Sequence, residues 1–168
     1  MKRIFTVFLL IVVCFLLQTT LFQLLSLAAV APNLLLILTV AFGYMRGEKE
    51  GLYIGFFCGL LVDCIYGDLI GLYALIYMVI GYLNGFVNKH YYSDDIVLPV
   101  ILMAVSDFIY GFFYYVFEFL LRGRLNFFFY FQRIILPELI YTVILSVVFY
   151  KLLHMINLRL EKREEKEV

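Results

Sequence analysis

Hydrophobic positions run in long unbroken stretches along this chain and do not alternate with polar ones. Six such segments occupy approximately residues 4–27, 33–45, 52–66, 69–87, 96–121 and 131–156. An α-helix rises about 1.5 Å per residue, so about 20 apolar residues cross a hydrocarbon core about 30 Å thick. The pattern predicts an all-α integral membrane protein, a bundle of six transmembrane helices. Its single membrane domain covers residues 1–156, and residues 157–168 form a short charged cytoplasmic tail. The second and third segments are short for a full crossing. They sit in a thinned bilayer, borrow their flanking turns, or form one re-entrant hairpin.

Composition agrees with the pattern. The 168 residues are 65% hydrophobic and 15% charged, whereas a soluble domain is nearer half apolar and a quarter charged. Lys plus Arg equals Asp plus Glu at 13 each, and no basic cluster interleaved with aromatics points to nucleic acid. Cys14, Cys58 and Cys64 fall inside apolar segments and read as small apolar residues. His90 and His154 stand alone near segment ends, with no second ligand at metal spacing. No metal or cofactor is expected.

The positive-inside bias orients the six segments. With the N-terminus in the cytoplasm, Lys2, Arg3, Arg46, Lys49, Lys89, Lys151, Arg159, Lys162, Arg163 and Lys166 lie on the cytoplasmic side, and only Arg122, Arg124 and Arg133 lie outside. Both chain ends are then cytoplasmic. Lys2 and Arg3 before an apolar run, with Ala29-Val30-Ala31 beyond it, imitate a signal peptide. The run is longer than the about 7–15 residues of a signal core, and Pro32 disfavours cleavage there. The segment is read as an uncleaved first span. Phe127–Phe131, five aromatics in a row, fit an outer interfacial belt.

Small and acidic residues punctuate the apolar pattern at helical spacing. Gly51, Gly55, Gly59 and Asp63 recur every fourth residue, a smooth stripe ending in a carboxyl. Gly81 and Gly85 form a second small pair. In a membrane such stripes let another backbone come close, either within the chain or from a partner helix. Both sets are therefore partner-docking candidates, and a bulky residue at Gly55 is expected to weaken association while leaving insertion intact. Intramembrane polar candidates are Asp63, Asp107, Glu118, Arg133 and Glu138. Asp63 and Asp107 are expected at similar depth, either carrying a proton or meeting hydroxyls, backbone groups or water. No nucleophile–base pair, metal cluster or phosphate loop accompanies them, so an enzyme is not expected.

One family shares this order of features. Ala31-Pro32-Asn33-Leu34-Leu35-Leu36 follows a first span ending in Gln18-Thr19-Thr20. Gly43 comes next, then Gly51-x3-Gly55-Phe56-x2-Gly59-Leu60-Leu61-x-Asp63, Gly67-x3-Gly71-Leu72-x-Ala74-Leu75 and Gly81-Tyr82-x2-Gly85. The chain resembles MreD, the rod shape-determining membrane protein of bacteria, over roughly residues 1–156, with the later half matching mainly by hydropathy. The resemblance implies a scaffold in the cytoplasmic membrane that binds MreC. Its wider complex contains RodA, a class B penicillin-binding protein and MreB, and it maintains rod shape and lateral peptidoglycan synthesis. It also implies a fold similar to the substrate-binding subunits of energy-coupling factor vitamin transporters. Such a subunit is the alternative reading, with Asp68, Arg122, Arg124, Asn126 and Arg133 at the outer mouth.

Overall fold

The computed structural model describes residues 2–21, 31–67, 71–91, 96–117 and 127–167. They form six helices and no strand. Helix α1 covers Lys2–Leu16 and runs into a wide π-type turn at Leu17–Leu21. Then come α2 at Leu34–Arg46, α3 at Glu48–Tyr66, α4 at Leu72–His90 and α5 at Val97–Tyr115. Helix α6 is continuous in three stretches: Phe127–Tyr130, a wide turn at Phe131–Ile135, and Leu136–Glu167. Arg3–Thr20, Val97–Tyr115 and Phe127–Lys162 are long and apolar enough to cross a membrane. The chain is an all-α membrane protein.

Helix α2 is the axis of the bundle and touches all five other helices. Every residue from Leu34 to Tyr44 is buried. This is why the second apolar segment is short: a helix enclosed by protein need not match the thickness of lipid. Its start follows from Pro32-Asn33. The Asn33 side chain accepts the Leu36 N–H at 3.1 Å, an N-cap at a helix end buried away from water. Its end follows from Gly47, whose φ of +95° turns the chain straight into α3. The third segment is longer than its apolar run. Helix α3 begins at Glu48, with Glu48 and Glu50 in the first turn, where the helix dipole favours acids.

The wide turn in α6 also has a local cause. Pro137 has no N–H to offer the Arg133 carbonyl, and directly before it the Leu136 N–H reaches back five residues to Phe131 O.

One end of the bundle is tied by charge. Arg3 pairs with Glu50, Arg46 Nη1 reaches Glu161 Oε1 at 2.6 Å, and Arg46 Nε lies 3.6 Å from Glu50 Oε1. Asn157 Nδ2 donates to the same Glu161 oxygen at 3.1 Å. This clasp joins the start of α1, the α2–α3 turn and the far part of α6. Arg3 and Glu161 therefore lie at the same end of the bundle.

Candidate functional site

The two glycine series face each other. Gly51 on α3 meets Gly81 on α4, Gly55 meets Tyr77 and Met78, and Gly59 meets Tyr73 and Ala74. A Cβ at Gly59 would sit 2.5 Å from Ala74 Cα, and one at Gly43 would sit 2.7 Å from Gly81 O. Gly85 closes the series against Gly47 and Glu48. The backbones of α2, α3 and α4 thus touch where side chains are missing. The face expected to receive a partner helix is filled by the chain's own α4. A bulky residue at Gly55 would strike the Tyr77 carbonyl before it met any partner.

Asp63 completes this seam. It lies in the last turn of α3 and is 1% exposed. Its Oδ1 accepts the Tyr73 N–H at 2.9 Å, and its Oδ2 accepts Gly71 N–H at 3.0 Å and Ala74 N–H at 2.9 Å. These are donors of the N-cap residue and the first turn of α4, which have no partner inside their own helix. A carboxylate from one helix thus caps the next, aided by the positive end of the α4 dipole. Gly71 permits the approach by taking φ +103°.

Asp107 serves a different place. It is 3% exposed and lies on α5. Thr142 on α6 is a hydrogen-bond partner of its side chain, and the Thr142 hydroxyl accepts the Asn33 N–H at 3.2 Å. The Tyr77 hydroxyl donates to Asn33 Oδ1 at 2.7 Å, and Gln18 Oε1 accepts the Leu35 N–H at 3.1 Å. The buried N-terminus of α2 is therefore held by α1, α4 and α6 together. Glu138, one turn before Thr142, is an electrostatic neighbour of Asp107. Asp107 Oδ1 is buried with no hydrogen-bond partner among the described residues. Asp63 and Asp107 do not meet; one fastens α3 to α4, the other joins the polar knot at α2.

Arg133 is brought to neither carboxylate. It is exposed, with its guanidinium 5.4 Å from the Phe129 ring centre. Glu118 lies outside the described residues, as do Asp68, Arg122, Arg124 and Asn126. Among the described residues no three His, Cys, Asp or Glu side chains gather as metal ligands would.

The profile of one protein family, rod shape-determining protein MreD, matches residues 1–157. The chain belongs to the MreD family. No curated protein and no solved structure matches it.

In this MreD chain the polar knot contains residues that sequence reasoning passed over. Asn33 carried a signal, since an Asn between Pro32 and an apolar run marks a helix start. Gln18 and Thr142 carried none, because a single polar residue in an apolar span does not reveal which helix it faces. The clasp was hidden for a related reason: Arg3, Arg46, Glu50 and Glu161 come from four helices and form no local pattern.

Proposed function

We propose that this chain is a non-enzymatic scaffold of the bacterial wall-elongation complex. It sits in the cytoplasmic membrane with both ends in the cytoplasm, and it binds the transmembrane segment of MreC. RodA, a class B penicillin-binding protein and MreB belong to the larger assembly, which keeps cells rod-shaped and directs lateral peptidoglycan synthesis. Family membership over residues 1–157 carries the reading. The excess of Lys and Arg on one side of the six-span topology supports the orientation.

The packing supports a particular kind of scaffold. Backbone contact along α3–α4 and the buried axis α2 make a bundle whose inner faces are already occupied. Docking then falls to outer faces, where large apolar side chains of α1, α5 and α6 are exposed. The Gly51–Asp63 and Gly81–Gly85 positions act in docking by holding the bundle that presents those faces.

The test is mass spectrometry of what co-purifies with the tagged chain after mild solubilisation of native membranes. Recovery of MreC, RodA or the penicillin-binding protein is the expected result. Recovery of a transporter coupling subunit with paired ATPases would overturn it in favour of a vitamin-binding subunit.

A further inference from the structure

Asp107 has an oxygen with nothing to bond. The side chain is 3% exposed, and Oδ1 is buried with no hydrogen-bond partner among the described residues. The carboxyl faces α6, because Thr142 there is its side-chain partner. The Thr142 hydroxyl accepts the Asn33 N–H, and its single hydrogen goes to Asp107. Nothing of Thr142 is left for Oδ1.

Glu138 stands one turn before Thr142 on α6, and therefore on the same helix face. That face meets Asp107, and the two carboxyls are electrostatic neighbours. The other titratable groups around them are phenols. Tyr77 on α4 neighbours both carboxyls, and Tyr110 on α5 neighbours Glu138. The Tyr77 hydroxyl is committed to Asn33 Oδ1 at 2.7 Å. Among the described residues no lysine, arginine or histidine pairs with either carboxyl, and Arg133 lies exposed beside Phe129. Both residues belong to helices apolar enough to cross a membrane. Two ionised carboxyls in such a place repel each other with no counter-charge. Neither can give Oδ1 a hydrogen, since a carboxylate only accepts. One added proton answers both demands: it removes a charge and supplies the missing donor.

We propose that Asp107 and Glu138 form a proton-binding site, with one exchangeable proton held between Asp107 Oδ1 and the Glu138 carboxyl. The negative charge that remains is met by the Thr142 hydroxyl. Asp107 is closed off whereas Glu138 is half-buried, so the proton enters and leaves by way of Glu138. In place, it fastens α5 to α6 beside the buried N-terminus of α2. Its loss sets two like charges across that contact. The knot that holds the axis of the bundle thus responds to proton supply. The site stands whether or not the chain docks wall-elongation proteins.

Infrared spectroscopy of the full chain in lipid vesicles tests this. The wild type should show the carbonyl band of a protonated carboxyl at neutral pH, and the band should shift to lower frequency in heavy water. Asp107→Asn and Glu138→Gln should each abolish it. In either variant the new amide donates an N–H to the remaining carboxylate, so the contact survives without the proton. Unchanged helicity and an unchanged size-exclusion profile check that the variants fold. A wild-type chain without the band overturns the proposal, whatever the variants do. A band kept in both variants belongs to another carboxyl and overturns it too. Loss in one variant alone overturns the sharing, because the proton then sits on a single carboxyl. A band unmoved in heavy water overturns the exchange. A second measurement needs no variant: a lipid-soluble carbodiimide, which adds to carboxyls that carry a proton, should label Glu138 in the wild type, as mapped by mass spectrometry. Label on neither Glu138 nor Asp107 overturns the proposal.

Discussion

Along α3 and α4 the backbones meet at glycines and one carboxylate bridges the helices; between α5 and α6 large rings fill the contact around Tyr115 and Tyr130. On that second side Tyr115 packs against Phe127 with ring centres 5.0 Å apart and against Tyr130 at 5.4 Å, and Tyr114 stacks on Tyr130 at 6.3 Å. The first seam has no adjustable parts, because a carbonyl oxygen cannot move aside as a rotamer does. The second is built of side chains that shift and still touch. The contrast predicts where substitutions are tolerated, and that can be measured as the thermal midpoint of the detergent-solubilised chain.

The largest effect is expected at Gly55. Gly55→Leu drives a side chain into the Tyr77 carbonyl and should destabilise the bundle by about 3 kcal/mol or more, beyond ordinary overpacking because the obstacle is backbone. A wild-type midpoint for that variant would break the comparison. Asp63→Ala comes next. It leaves two buried N–H groups of α4 and the part-buried N–H of Gly71 without an acceptor, a loss of about 2–3 kcal/mol. Asp63→Asn should fall between Ala and wild type, since the amide nitrogen cannot accept. Equal midpoints for the Asn and Ala variants would show that the carboxylate is not the fastening.

On the aromatic side, Phe127→Leu keeps apolar volume and gives up ring geometry, so a loss of about 1 kcal/mol is expected. A drop as large as that of Gly55→Leu would erase the distinction between the two sides. The smallest effect belongs to the ionic clasp. Arg46→Glu should destabilise the chain by about 0.5 kcal/mol, and adding Glu161→Arg should recover part of it. Recovery should shrink at 1 M salt, where charges are screened within about 3 Å; salt-independent recovery would mean that packing governs that end.

The glycine seam was legible as a period of four, but not its occupant. Gly51, Gly55 and Gly59 announce a close approach, and nothing in their spacing says whether the other backbone is α4 or a foreign helix. Asp63 shows the same limit. Its place in an apolar run left open whether the carboxyl carries a proton or meets hydroxyls, backbone groups or water, and it is three nearby N–H groups that it meets. Helix α3 ends at Tyr66, so Asp63 lies one turn from its end, within reach of the start of α4. The shortness of the second segment was visible, but its cause was not, because burial on every side is a property of the other five helices. The aromatic side gave only an interfacial belt, since rings pack through geometry that one-dimensional spacing does not encode.

The enclosure of α2 has a consequence for biosynthesis. The hydroxyl that accepts the Asn33 N–H belongs to Thr142, 109 residues further along the chain. At about 5–20 residues per second, ribosomes make that partner roughly 5–20 s after Asn33. During this interval the helix that will be the axis of the bundle has its partner on α6 still unmade. Chains that stop before Thr142 carry an unfinished axis, with the Asn33 N–H left without its acceptor.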